Sequence, residues 1–318
     1  MKINEYNDGL RIIEKLLVSN MTKGVTNAGQ AYLSVTLQDN TGQIEAKVWD
    51  ASDHDVNTFQ EGNIVEINAD VIEYRNKLQL KIITARQVDI SKVSLNEFTL
   101  SSPVKLDFMK EELERLIESL ENKDIYKIVR TIIDRHYDSI LVYPAAAKLH
   151  HAYTHGLLEH TITLANIADK IIAYYLELYD GKWLINRDLV IGGILLHDVG
   201  KTIELSGPVL TKYTLEGKLL GHISLLHAEV LNTAKELKID GEMPTLLAHI
   251  VLSHHGKLEF GSPVLPLTKE ALLVSMIDDL DAKMKLIEEV LLETDEGTFT
   301  DRIWALNHSS FYRLKDEE

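Results

Sequence analysis

The sequence predicts a two-domain chain of the β + all-α class, with a small five-stranded barrel followed by an all-helical domain. Three observations predict it: single-residue apolar alternation up to about residue 90, helical apolar spacing from Lys105 onward, and an intervening stretch with neither. Leu10 to Val18 counts as the first strand. Leu33, Val35 and Leu37 alternate with Tyr32, Ser34, Thr36 and Gln38, and Ile44, Ala46 and Val48 with Glu45, Lys47 and Trp49. Val65, Ile67, Ala69 and Val71 form another run, and Leu78, Leu80 and Ile82 the last. Period two marks half-buried strands. Asp39-Asn40-Thr41-Gly42 is a hairpin signal. The polar segment Ser52 to Gln60 suits a connecting helix, and five strands with a connector there suggest a closed barrel of the OB type over residues 1–90.

Residues 91–104, rich in Ser, Thr and Asn, read as a linker. In the helical domain, 105–318, Leu106, Met109, Leu113, Leu116, Ile117 and Leu120 follow helical spacing with acids opposite. Further helices are expected at about 123–137, 156–179, 187–198, 222–237, 244–255 and 267–293. A chain of 318 residues is long enough for two domains. It has no cysteine, which excludes disulfides, thiolate metal sites and cysteine nucleophiles, and fits a cytoplasmic protein. Met1 to Leu17 lacks the apolar core of a signal peptide, and no stretch is apolar enough to span a bilayer. A net charge of -16 argues against coating nucleic acid by bulk electrostatics, so any nucleic-acid face must be local.

Imidazoles and carboxylates recur along apolar helical stretches of the second domain, where they need a partner. His160 lies on the stripe of Leu157, Leu164, Ile167 and Ile171, so it points inward. Taken alone, it reads as a hydrogen-bonded core residue. His197-Asp198 ends the apolar run Leu189 to Leu196, and Gly200 is expected to stop that helix. His254-His255 ends a helix begun by Pro244 and closed by Gly256. Asp278 shares its face with Ala271, Val274 and Ala282 and needs neutralising there, with Asp279 and Asp281 as rivals and Asp281 as a candidate support for a ligand. His222, after Gly221, reads as a ligand, a cap or a surface residue. Nitrogen and oxygen donors from several helices suit divalent cations of the Mn, Fe, Zn or Mg kind.

His160, His197-Asp198 and Asp278 match the H…HD…D pattern, so the chain resembles the HD-domain metal-dependent phosphohydrolases; His222, His254 and His255 match the subset with two ions. It is similar in particular to the YhaM-type 3′–5′ exoribonucleases, which join an OB domain to an HD domain. The similarity runs through His150-His151-Ala152-Tyr153, Gly156-Leu157-Leu158-Glu159-His160, His197-Asp198-Val199-Gly200-Lys201 and Glu204-Leu205-Ser206-Gly207-Pro208. It continues through Gly221-His222-Ile223-Ser224, Ser253-His254-His255-Gly256 and Ile277-Asp278-Asp279-Leu280-Asp281. His155 departs from the small residue expected there. The resemblance implies one ion held by His160, His197, Asp198 and Asp278, and a second by His222, His254 and His255, with Asp198 bridging. It implies two divalent ions, Mn²⁺ foremost, with Fe, Mg, Zn, Co or Ni as alternatives.

A cation pair lowers the pKa of a bridging water and neutralises phosphoryl charge. The implied reaction is 3′-to-5′ hydrolysis of single-stranded RNA, with single-stranded DNA as a second class, to nucleoside 5′-monophosphates. Asp198 belongs to the catalytic set. Lys201 suits a phosphate oxygen or a surface position, and His151 a proton donor or a supporting role. His54, His136, His227, His249 and His308 read as structural or exposed. On the barrel, outward Tyr32, Lys47, Trp49, Arg75, Lys77 and Lys81 suit stacking and phosphate contacts, unless the two rings pack under the linker. The sequence admits a homo-oligomer and implies no membrane. Competing readings are an HD phosphohydrolase of small nucleotides and a non-enzymatic nucleic-acid-binding factor.

Overall fold

Alternation becomes a closed barrel. The computed structural model describes residues 1–26, 29–75, 77–89, 93, 97–146, 153–207 and 211–315. Strands β1 (Arg11–Val25), β2 (Ala31–Gln38), β3 (Gln43–Trp49), β4 (Ile64–Tyr74) and β5 (Lys77–Val88) close in the order β1-β2-β3-β5-β4. Neighbours are antiparallel except β3 and β5, which run parallel with Ala46 opposite Leu80. Leu33, Val35, Leu37, Ile44, Ala46 and Val48 meet Val65, Ile67, Ala69, Val71 and Leu80 in the core. In β5 the inward set is smaller than the alternation suggests: Leu78, near the turn, is exposed, and Ile82 is half-buried beside a register shift.

β1 extends well past Val18. Arg11 to Leu17 pair with β4, and Leu17 to Val25 with β2, with an irregularity between Val18 and Asn20. That bulge breaks the period of two and bends one strand across both partners. The Asp39 hairpin forms because its buried carboxylate accepts from Thr41 N, Thr41 Oγ1 and Gly42 N through Oδ1, and from Ile3 N through Oδ2. Helix α1 (Asp53–Thr58) starts at a Ser52–Asp55 capping box and delivers the fully buried Phe59 to the barrel floor.

The chain divides into two compact units, Met1–Ser101 and Ser102–Glu318. Part of the stretch read as linker belongs to the first unit: Phe98 is buried, and its carbonyl accepts from Gln38 Nε2 at 2.9 Å. The second unit holds α2 (Leu106–Glu118), α3 (Lys123–Val142), α4 (Gly156–Leu178), α5 (Arg187–Leu196), α6 (Lys201–Glu204), α7 (Leu215–Glu236), α8 (Met243–Ser253) and α9 (Lys269–Leu292). Helix α7 starts earlier than expected because Thr214 caps it, accepting from Gly217 N; the break the sequence placed before His222 is a kink at Gly221, φ +71°.

Helix α5 is the axis of this unit. Asp188 to Leu196 are all buried, packed against α3, α4, α8 and α9. Its one buried carboxylate, Asp188, is satisfied by Glu121 N at 2.8 Å and Asn122 N at 2.6 Å. The chain leaving α5 therefore emerges in the middle of the helical unit. Among the described residues, no helix is long and apolar enough to cross a membrane.

Candidate metal centre and nucleic-acid face

Buried ends of apolar helices bring the polar side chains together. His160 sits in the second turn of α4, where Gly156 to Ile162 are all buried, a wider apolar face than one stripe. His197 and Asp198 follow α5, 0% and 2% exposed. His222 follows the kink in α7, His254 and His255 end α8, and Asp278 projects from α9. Gly200 does not stop α5 by a left-handed turn: its φ is −58°, and its lack of a side chain serves a close approach, since a Cβ there would lie 2.4 Å from His222 O. Gly256, with φ +74°, does take the left-handed conformation after α8.

Asp198 is the hub. Its Oδ2 lies 3.3 Å from His197 Nε2 and 3.8 Å from His160 Nε2; its Oδ1 lies 3.4 Å from His222 Nε2 and 3.7 Å from His254 Nε2. His160 Nε2 is also 3.2 Å from Asp278 Oδ1 and 3.4 Å from His197 Nε2. Two donor groups result, His160–His197–Asp198 and His222–His254–His255, with ligand atoms within 4.8 Å of one another in each.

All five histidines have Nδ1 anchored on the far side of the ring. His197 donates to Ile194 O at 2.7 Å, His254 to Val251 O at 2.8 Å and His255 to Phe260 O at 2.8 Å. His160 donates to Asp281 Oδ2 at 2.7 Å and His222 to Glu204 Oε2 at 3.1 Å. A carbonyl only accepts, so these bonds place the proton on Nδ1 and leave Nε2 for the centre.

The donors fit cations. Asp198 Oδ1, His222 Nε2 and His254 Nε2 are buried with no hydrogen-bond partner among the described residues. Each such atom costs about 1–3 kcal/mol. Bonds of about 2.0–2.2 Å to one ion would leave neighbouring ligand atoms about 3–3.5 Å apart, close to the separations seen.

The electrostatics agree. Burial pushes His254 well below the usual histidine range, reinforced by His255 and His197, and lowers His255 as well. Burial works against charge on Asp198 and Asp278, yet Lys201 and His197 hold the first, and His160 the second, below the ordinary carboxylate range. Burial also opposes charge on His160, but hydrogen bonds to Asp278 and Asp281 push it up to about 9. Without a cation, a proton on that ring compensates the carboxylates.

Lys201 is neither free nor on the surface: its ammonium sits 2.6 Å from Asp198 Oδ2. His151 lies outside the described residues. Asp281 turns its carboxylate to His160 rather than to the centre, whereas Asp279 pairs with Lys283 outside. Sequence reasoning placed Glu204 in a string that carries the resemblance but gave it no role, because an acid ending a short segment after the His-Asp pair says nothing of its partner, His222. His136 bridges α3 to Glu229 of α7, and His249 accepts from Leu267 N. His155 takes φ +71° at the start of α4 and donates from Nδ1 to Leu141 O.

On the barrel, Lys47, Trp49, Arg75, Lys77 and Lys81 line one groove of about 780 Å³ with Glu45 and Tyr74. Tyr32 adjoins it, opposite Trp49 in the register, with ring centroids 5.4 Å apart. Lys47 Nζ lies 5.7 Å from the Tyr32 ring centre, and the Arg75 guanidinium 5.2 Å from that of Tyr74. Gly24, opposite Tyr32, leaves room for the ring: a Cβ there would come within 2.3 Å of it. Tyr74, more than half exposed, escaped the sequence reading because it ends a strand at the turn.

Comparison with known proteins locates both halves. Residues 17–86 match the family described as OB-fold nucleic acid binding domain, and residues 157–283 the HD domain. The second OB-fold domain of replication protein A from Methanococcus maripaludis is 20% identical over 30% of this chain and 97% of that one, with a TM-score of 0.23. The OB domain of a Thermoplasma acidophilum protein is 15% identical over 33% and 92%, with a TM-score of 0.22. The HD match runs from α4 to α9 and contains every donor of the centre. The chain thus carries an N-terminal OB-fold domain and a C-terminal HD domain, the module of metal-dependent phosphohydrolases.

Proposed function

We propose that this chain is a 3′-to-5′ exoribonuclease that removes nucleoside 5′-monophosphates from single-stranded RNA, with single-stranded DNA as a second substrate. One observation carries the reading: a buried imidazole–carboxylate centre, with inward atoms that find no hydrogen-bond partner among the described residues, shares a chain with an aromatic, basic groove on an OB barrel. His160, His197, Asp198 and Asp278 would hold one divalent ion, Mn²⁺ foremost, and His222, His254 and His255 a second, with Asp198 offering one oxygen to each. When bound, the pair activates water and neutralises charge on the phosphoryl oxygens.

The chain's own groups do the rest. Lys201, already at Asp198, is placed to hold a phosphate oxygen once cations take over that carboxylate. We assign His151 the proton delivered to the leaving 3′-oxygen. Water adds to phosphorus, the bond from phosphorus to the 3′-oxygen breaks, and the shortened strand keeps a 3′-hydroxyl. Tyr32 and Trp49 stack bases, and Lys47, Arg75, Lys77 and Lys81 track the phosphates.

A 5′-labelled and a 3′-labelled RNA oligonucleotide incubated with Mn²⁺ test this. A ladder shortening from the 3′ end, with labelled mononucleotide released from the 3′-labelled strand, is the expected result. Intact oligonucleotide with every metal tried, beside turnover of free nucleotides, would overturn it in favour of a small-nucleotide phosphohydrolase.

A further inference from the structure

Where each histidine finds its Nδ1 acceptor follows from helix geometry. His197 and His254 sit at helix C-termini, where the last carbonyls have no intrahelical donor, and use those of Ile194 and Val251. His255 uses Phe260 O in the next loop. His160, in the second turn of α4, and His222, just past the break in α7, each take a carboxylate instead, Asp281 or Glu204.

The Glu204 contact is the more elaborate. Its Oε2 takes His222 Nδ1–H at 3.1 Å, and its Oε1 takes His222 N–H at 3.1 Å. That backbone donor is freed because Gly221, at φ +71° and ψ 154°, interrupts the helix. One carboxylate therefore fixes both ring and main chain of the same residue. The backbones are locked around this pair from both sides. A Cβ on Gly200 would lie 2.4 Å from His222 O, and a Cβ on Gly217 would lie 2.2 Å from Glu204 O. Thr214 N–H adds a bond to Glu204 O at 2.9 Å.

Charge makes the contact consequential. The His160 side has Asp278 and, behind the ring, Asp281, besides its share of Asp198. Among the described residues, the carboxylate paired with His222 and His254 on their Nε2 side is the other oxygen of Asp198, with Glu204 behind the His222 ring. A carboxylate behind an imidazole makes its Nε2 a stronger donor and fixes the ring's aim.

We propose that Glu204 is a positioning residue that sets the cation affinity of the His222–His254–His255 side, acting through the break at Gly221. The proposal rests on the two-cation reading above. Full-length protein stripped with chelator and titrated with Mn²⁺ by calorimetry, with elemental analysis after gel filtration, tests it. The wild type is expected to bind two equivalents. Glu204→Gln is expected to keep one unchanged and to weaken the other about 10–100-fold. Glu204→Asp, which keeps the charge, should fall between them and carries the test if the glutamine variant does not fold. Asp281→Asn should weaken the opposite equivalent. Two wild-type equivalents with Glu204→Gln indistinguishable from them would overturn the proposal alone. Fewer than two in the wild type would bring down the two-cation reading and the proposal with it.

Discussion

Asp198 reaches both donor groups of the centre, with four imidazoles and Lys201 within 4.0 Å of its two oxygens. Asp198→Asn should therefore lower kcat by about a thousandfold or more and strip bound metal, read by oligonucleotide hydrolysis beside elemental analysis. Retention of both metal and rate would remove the hub role. At Gly200 the constraint is spatial. Gly200→Ala pushes a methyl into the carbonyl of His222, and a loss of about 1–3 kcal/mol in chemical denaturation is expected. The sequence made His160 and Asp278 legible because each sits among apolar residues on a helix. It could not show what turns them. His160 and Asp281 are far apart in the chain, and Glu204 reaches His222 across a connection between two helices, so no periodicity links them.

Between elements, the pairing of α3 with α7 depends on titration. His136 Nε2 lies 3.0 Å from Glu229 Oε2, and Arg135 lies 3.5 Å from Oε1. Burial works against charge on Glu229, but these partners hold it below its ordinary 4.5. A carboxylate depressed in the folded state stabilises above its unfolded pKa, and the contribution fades as pH falls through the folded value. Glu229→Gln should cost about 1–2 kcal/mol at pH 7, and the gap between the two proteins should narrow as pH falls below the ordinary glutamate value. Urea melts at pH 7 and below that value check this; an equal gap at each would contradict it. Helices of ordinary length were readable from their apolar spacing. The four-residue α6 was not, being too short to show a period, and β1 was cut short at its bulge.

For the whole molecule, strand delivery and chemistry should separate. Tyr32→Ala with Trp49→Ala removes stacking worth about 1–3 kcal/mol per base, so affinity for a long oligonucleotide should drop at least about tenfold. Hydrolysis of a dinucleotide should stay near wild type; parallel losses on both would deny the barrel its role. Cations that bind only the folded state should also raise the melting temperature of the wild type, and Asp198→Asn should abolish that rise. The barrel and its outward residues were legible because alternation reports faces directly, whereas the shared groove depends on β3 meeting β5 in parallel, which no local pattern states. The tethered rings have one more use. Each imidazole carries a proton pinned between nitrogen and oxygen on the side turned away from the centre. Those of the buried His160, His197, His222 and His254 exchange slowly with solvent and resonate far downfield, and they remain in place when Nε2 is occupied. They form a built-in set of magnetic reporters: a diamagnetic ion leaves them visible, while Mn²⁺ broadens first the resonances nearest the position it fills, so the order of filling can be read without turnover.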